Sequence, residues 1–493
     1  MDKPRYVNQP RNRRIGIIGA GPGGMAIAHR FKEAGYDNIV LWERGDDVGG
    51  TWYHNRYPGL ECDVASHLYS FSFDLNPSWS KAFARQPEIL EYMKGAADRH
   101  DIRRHVRFST EVLAASWDDE CTCWRVKLSD GREETVDILV SAQGMFNLLK
   151  WPDIPGMDSF TGALFHTGRW RDDVDLAGKR VAVIGSAATA VQMVPELAKV
   201  VGQLDIYQRT PSWVLPKDDP VFDAETIAAR EADPDLPRQE RLRLYREMDD
   251  FCKWTDVQDD SDFVAACLEN LKVVKDPEVR AKLTPDFNWG CARPLFSNDF
   301  YPAINRDNVG VVADAITQIT PSGIVDKTGA EREYDVIICA TGYHVDKFLA
   351  ALDVRGRGGI HITEAWADGA SAYLGVMTHG FPNLFMTYGP NTNNGSLITM
   401  AEYEAAYMVR HVQWMDANDI GWIDVKPDVE KQYNDELQAH IGQVSLWQGG
   451  CHNYYFAASG RIVTQYPLNM STFRDNLMRP DWDNFTVQYG VAV

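Results

Sequence analysis

Cysteine is scarce and spaced for neither metal nor dithiol chemistry: eight residues in 493, at positions 62, 121, 123, 252, 267, 291, 339 and 451, with no C-x-x-C. That spacing argues against a zinc finger, and reduced thiols in a cytoplasmic protein are the expectation. No apolar run reaches the ~18 residues that mark a membrane-spanning helix. The basic stretch at the start is not followed by an apolar core and a small-residue cleavage site, so no signal peptide is expected. Positive charge is also in deficit. Lys and Arg number 50 against 70 Asp and Glu, a net charge of −20, which argues against a nucleic-acid or anionic-membrane partner. With 44% hydrophobic and 24% charged residues, the chain is globular and long enough for two or three domains.

What is present is a duplicated α/β pattern. "IGIIGAGPGGM" (15–25) and "VAVIGSAATAVQM" (181–193) each read as a β-branched strand, a Gly/Ala loop and a helix. A second repeat follows each: "VDILVSAQG" (136–144) and "YDVIICATG" (334–342) share Asp, Ala and Gly at identical spacing. Each predicts a buried strand whose final glycine allows close backbone approach to a ligand. Between 218 and 288 the composition turns charged with near-helical apolar spacing, which predicts a helical insertion covering part of the second domain.

The first loop carries Gly19, Gly21 and Gly24 as G-x-G-x-x-G. The first permits the tight turn, the second lets the backbone approach a pyrophosphate, and the third lets helix and strand pack. Glu43 ends the next predicted strand, nineteen residues after Gly24. An acid about 20 residues on grips a ribose diol, which suits FAD or NAD and not a 2′-phosphate. In the second loop Gly185 keeps the turn, Ala187 and Ala190 replace the other glycines, and Ser186 and Thr189 add hydroxyls that suit phosphate. Gln192 follows on the same helix. Where an NAD site ends its second strand in an acid, "QLDIYQRTPSW" places Arg209 and Thr210. A guanidinium there suits a 2′-phosphate, so this loop is a candidate NADP site with an altered grip.

Gly49, Gly50, Thr51, Trp52, Tyr57, Pro58, Gly59 and Asp63 stand at the spacing G-G-x-W-x4-[FY]-P-[GM]-x3-D. "FTGALFHTGRW" (160–170) has Phe160, Gly162, His166 and Trp170 as F-x-G-x3-H-x3-W. Together these resemble the two fingerprints of the Baeyer–Villiger monooxygenases, flavoproteins that use FAD and NADPH. The resemblance covers nearly the whole chain and implies two Rossmann-like dinucleotide-binding domains, for FAD and NADP, with a helical insertion. The FAD domain is expected over 1–148 and 344–493, the NADP domain over 149–217 and 289–343, and the insertion over 218–288. His166 reads as a structural or domain-motion element rather than a catalyst. The Q-R-T-P-x-W stretch is similar to the family's NADPH-selecting segment. The family often places a Lys just before its catalytic Arg, where this chain has Ala292.

By the same resemblance, NADPH reduces FAD, O2 adds to give a C4a-peroxyflavin, and its attack on a ketone yields an ester or lactone. The anionic oxygen needs a cation that neither deprotonates nor becomes a nucleophile, which Arg supplies. Arg293, in "CARPLFSNDF", takes the family's catalytic position, with Asp63 holding its guanidinium. Tyr69 and Val112 match flavin contacts, and Met400 matches a residue lining the flavin and substrate cavity. Tyr454 stands where the family's C-x-S-W-Y segment has a Trp near the nicotinamide cofactor's ribose. The alternatives are an N- or S-oxygenase of amines or sulfides and an NADPH-dependent flavin reductase working through a cysteine pair. For the latter the close pair Cys121 and Cys123 sits in a predicted strand or turn.

Overall fold

The computed structural model describes residues 12–257, 259–448 and 453–490. Two five-stranded, all-parallel sheets organise the chain. In the first, the order is Leu384–Met386, Ile138–Ser141, Ile15–Ile18, Ile39–Trp42 and Val106–Arg107. In the second it is Val309–Val312, Gln203–Tyr207, Arg180–Ile184, Val336–Cys339 and Ala163–His166. Ile15–Ile18 and Val336–Cys339 are buried throughout, as parallel strands covered on both faces must be.

The duplication extends to single hydrogen bonds. In each sheet the strand entering the glycine loop lies at the centre, paired on one side with the strand that ends in Ala-x-Gly. The repeated Asp has one job in both copies. The Asp137 carboxylate accepts from the Arg14 N–H at 2.7 Å and the Asp335 carboxylate from the Arg180 N–H at 2.8 Å. In return the N–H of each Asp donates to the same Arg's carbonyl at 2.9 Å. Each Asp thus fixes the register of its strand against the central one. An antiparallel meander precedes each copy: Val112–Asp118, Cys123–Leu128 and Glu133–Val136 before one, Ile316–Ile319, Gly323–Asp326 and Glu331–Glu333 before the other. The sequence pattern did not announce these meanders.

Gly19 and Gly185 both turn with positive φ, +100° and +115°. The helices Pro22–Glu33 and Ala188–Leu197 start directly after them. A methyl group on Gly24 would lie 2.1 Å from the Gly19 carbonyl oxygen, so the first loop is closed to any side chain there. We therefore expect Gly24→Ala to force loop and helix apart at a cost of roughly 1–3 kcal/mol. A lower thermal unfolding midpoint and reduced flavin content after purification would register it; an unchanged midpoint would contradict it.

Four helices, Ala224–Ala232, Asp235–Phe251, Ser261–Leu271 and Pro277–Lys282, fill the charged stretch. Asn270 Nδ2 donates to the Val214 carbonyl at 3.1 Å, which ties them to the chain leaving the second sheet. They also reach the first. Arg241 Nη1 donates to the carbonyls of Leu68 and Ser70, each at 2.8 Å, and its Nη2 to Thr399 Oγ1 at 3.2 Å.

Thiol chemistry departs from the expectation of reduced cysteines. Cys121 and Cys123 form a disulfide in the turn between two antiparallel strands, and Cys291 is disulfide-bonded as well. Cys62, Cys252, Cys267 and Cys339 are free and buried. No helix among the described residues is long and apolar enough to cross a membrane.

Candidate active site

Both glycine loops open onto one cavity of about 900 Å³. From the first loop come Gly19 and Gly21, and from its surroundings Glu43, Gly50, Thr51, Trp52, Asp63, Tyr69 and Val112. Ala187, Thr189, Gln192, Arg209 and Thr210 line it from the second. Gly144 and Gly342, the ends of the two Ala-x-Gly strands, face it with no atom within 4 Å of where a Cβ would stand. Backbone can therefore approach a ligand closely at both points.

The residues present fit FAD at the first loop. Glu43 directly follows the strand Ile39–Trp42 and is 4% exposed, accepting from the N–H groups of Ala20 at 2.9 Å and Gly45 at 2.8 Å. Burial pushes its carboxyl up, but the hydrogen bonds from His54, Ala20 and Gly45 outweigh it and hold the group below its ordinary value. An ionised, fixed carboxylate beside a glycine turn is what a ribose diol needs. Trp52 Nε1 donates to Tyr69 Oη at 3.1 Å, so these two candidates form one edge-on aromatic wall.

The second loop fits NADP. Ala187 has extended backbone (φ −86°, ψ −161°), close to Gly21 (φ −76°, ψ −176°), so its conformation needs no glycine. Arg209 and Thr210 are exposed on the cavity rim. Ser186 does not reach the cavity; its hydroxyl donates to the Thr210 carbonyl at 3.1 Å and sets the Arg209–Thr210 loop instead. Gly185, Gly24 and Ala190 shape the two turns from behind. Gln192 has a part that its sequence position did not suggest. It accepts from Tyr57 Oη at 3.1 Å and donates to the Glu61 carbonyl at 3.0 Å, joining the two halves through the first fingerprint. Gly59 makes that approach feasible, since a methyl group there would stand 2.3 Å from the Gln192 carbonyl oxygen.

Arg293 meets Asp63 across 230 residues of sequence, Nη2 donating to Oδ2. Arg293, its side chain 39% accessible, lines the cavity. The adjacent Asp63 charge, opposed by burial, holds the guanidinium well above its usual range. Burial pushes Asp63 up, yet Arg293 more than offsets it, and the carboxylate stays below its usual value. The pair is therefore fully ionised at neutral pH. Tyr454 lines the same wall; burial raises its phenol, with Arg293 pulling the other way. The segment 451–461 starts outside the described residues, which resume at 453.

Besides Ser186, two further expectations change. Met400 is 2% exposed and packs into the core, off the cavity wall; the same helix, Leu397–Ala417, presents Leu397, Ile398 and Ala401 instead. At about 100° per residue those three fall within one arc, and Met400 lies outside it. The Cys121–Cys123 disulfide does not line the cavity, so it is not placed to serve a flavin as a reductase dithiol would. His166 is fully buried at the end of its strand, Nδ1 accepting from the Gly168 N–H at 3.0 Å. Burial lowers it to about 4, so it is neutral at pH 7. Tyr388, Asn393 and Glu404 carried no motif and went unnoticed in the sequence.

Residues 12–223 match the flavin-binding monooxygenase-like family model. A Baeyer–Villiger monooxygenase of Pseudomonas aeruginosa is 38% identical over 464 residues, 93% of this chain and 88% of the relative. One from Streptomyces coelicolor is 38% identical over 483 residues, covering 96% and 92%. Among solved structures, cyclohexanone monooxygenase from Rhodococcus sp. Phi1 bound to NADP+ superposes with a TM-score of 0.88 at 30% identity, over 98% of this chain and 100% of that one. An oxidised steroid monooxygenase bound to NADP gives 0.86 at 31%, over 97% and 100%. Two Rossmann-like domains facing one cavity, and relatives of this similarity along nearly the whole chain, make it a member of the Baeyer–Villiger monooxygenases, flavoproteins that work with FAD and NADP(H).

Proposed function

We propose that this protein converts a ketone, O2 and NADPH with a proton into an ester or lactone, NADP+ and water, with Arg293 and Asp63 as its catalytic pair. The observation that carries the reading is that pair, on the wall of the cavity onto which both nucleotide loops open. FAD, when bound, supplies the redox chemistry, taking hydride from NADPH and passing electrons to O2. The protein's own part is positional and electrostatic. Arg293 presents a permanent positive charge where negative charge develops on oxygen, and it neither deprotonates nor attacks. Asp63 fixes the guanidinium's direction. Glu43 holds the flavin nucleotide's ribose, and Gly50, Thr51, Trp52, Tyr69 and Val112 wall its site. Arg209 and Thr210 take the 2′-phosphate of NADPH. Tyr454 faces the nicotinamide end in place of the family's Trp. The division into FAD domain (1–148, 344–493), NADP domain (149–217, 289–343) and insertion (218–288) belongs to the same proposal.

Mixing the FAD-loaded protein with NADPH, air and a panel of cyclohexanone, phenylacetone and thioanisole tests it by mass spectrometry of the products. Lactone or ester is expected from the ketones. Sulfoxide with no ester from any ketone would move the assignment to heteroatom oxygenation.

A further inference from the structure

We propose that Tyr388 is a specificity-determining residue of this site, fixed by Glu404 beneath it and Asn393 beside it so that its ring limits the size of the substrate group standing near Arg293. The proposal rests on the oxygenase reading of the cavity.

Tyr388 follows the strand Leu384–Met386 and has φ +55°, a left-handed conformation that is costly for a bulky side chain. Three contacts hold it there. Its N–H donates to the carboxyl oxygens of Glu404 at 3.1 and 3.3 Å. The preceding Thr387 donates its hydroxyl to Glu404 Oε2 at 2.5 Å. The phenol of Tyr388 donates to Asn393 Oδ1 at 2.8 Å, and Asn393 Nδ2 is in turn held by Gln465 Oε1. Glu404 itself is 1% exposed, and no ion pair reaches it among the described residues. A carboxyl so desolvated, pushed up to about 8, is an expensive way to make two hydrogen bonds. Its yield is a backbone kink that turns one ring into the cavity.

That ring lines the cavity with Tyr69, Arg293 and Tyr454 and lies within electrostatic range of all three and of Asp63. Locked at both backbone and hydroxyl, it cannot swing aside as a free side chain would, so it acts as a wall. A fixed wall of this kind discriminates by bulk, and one methylene group of misfit is worth about 10-fold or more.

The test compares the FAD-loaded full chain with Tyr388→Ala, Tyr388→Phe and Glu404→Gln, with Tyr388→Leu as substitute should the alanine variant not fold. One readout is the ratio of kcat/KM for cyclohexanone and cyclododecanone. The other needs no turnover: the ratio of dissociation constants for cyclohexanol and cyclododecanol, from the flavin absorbance change on titration. Tyr388→Ala is expected to shift both ratios toward the larger ring by ~10-fold or more. Tyr388→Phe keeps the ring and the Glu404 contact but loses the hydroxyl lock and should shift them far less, while Glu404→Gln, a neutral isostere that still accepts from the Tyr388 N–H, should keep the wild-type ratios. Equal weakening of both ring sizes, with ratios unchanged, would overturn the proposal and leave Tyr388 a purely structural residue. A shifted binding ratio in a protein that makes no lactone would uphold the wall and sink the oxygenase reading. Lactone formation with neither ratio shifted would do the reverse.

Discussion

Replacing Arg293 with Ala is expected to lower ester formation by on the order of 10³-fold while NADPH still reduces the flavin. The reason is geometric. Hydride transfer from NADPH to flavin develops no oxyanion at Arg293, whereas oxygen insertion does. The guanidinium is already ionised and held by Asp63, so on the proposed reading it meets that charge without reorganising at the moment of reaction. Arg293→Lys should restore little, because an ammonium cannot copy the planar fork and is free to shift its proton. Asp63→Asn should show the same split more mildly: the cation remains, but its aim is lost. Rapid-mixing measurement of flavin bleaching, set beside ester yield, separates the two half-reactions. Equal loss of bleaching and ester in Arg293→Ala would mean that the residue holds cofactor and does not act on oxygen.

The second large effect concerns cofactor choice. Arg209→Ala is expected to raise KM for NADPH by ~10–100-fold, the worth of a charge-assisted hydrogen-bond set, with KM for NADH nearly unchanged. Arg209 lies on the cavity rim with no carboxylate paired to it among the described residues, and Ser186 sets its loop through the Thr210 carbonyl. A rim cation that no acid neutralises is available to a phosphate. Ala292, where the family resemblance would place Lys, supplies no second cation, so on the proposed reading the discrimination is expected to rest more heavily on Arg209. Parallel rises in KM for both cofactors would assign Arg209 to the shared part of the nucleotide and not to the 2′-phosphate.

Much of the fold was legible because duplication printed the same strand-loop-helix signature twice. The Asp, Ala and Gly at matched spacing located a strand in each sheet, and the structure adds why Asp is there, as the acceptor for Arg14 and Arg180. The two meanders were not legible, since short half-exposed strands carry no period that distinguishes them from loops. At the site, Asp63 was placed by the first fingerprint and Arg293 by the family resemblance alone, because nothing local relates residues 230 positions apart. Met400 was placed by the resemblance alone, which does not fix the helical phase that turns it off the cavity wall. Tyr388 left no trace for a different reason: its role depends on φ +55° and on a carboxyl sixteen residues later, and neither is visible in residue types. The charged stretch is helical, but the face bearing Arg241, and hence its grip on the Leu68–Ser70 carbonyls, emerges only from packing.

The most direct measurement is isotopic. The FAD-loaded protein, supplied with NADPH, cyclohexanone and 18O2 in ordinary water, is expected to yield lactone carrying one heavy oxygen in the ring. Lactone appearance should match NADPH consumption, and Arg293→Ala should lower it by on the order of 10³-fold. Lactone free of label would mean that its new oxygen came from water. NADPH consumed wholly as hydrogen peroxide across every ketone tried would mean that the cavity does not insert oxygen into a ketone at all. Either result would contradict the account.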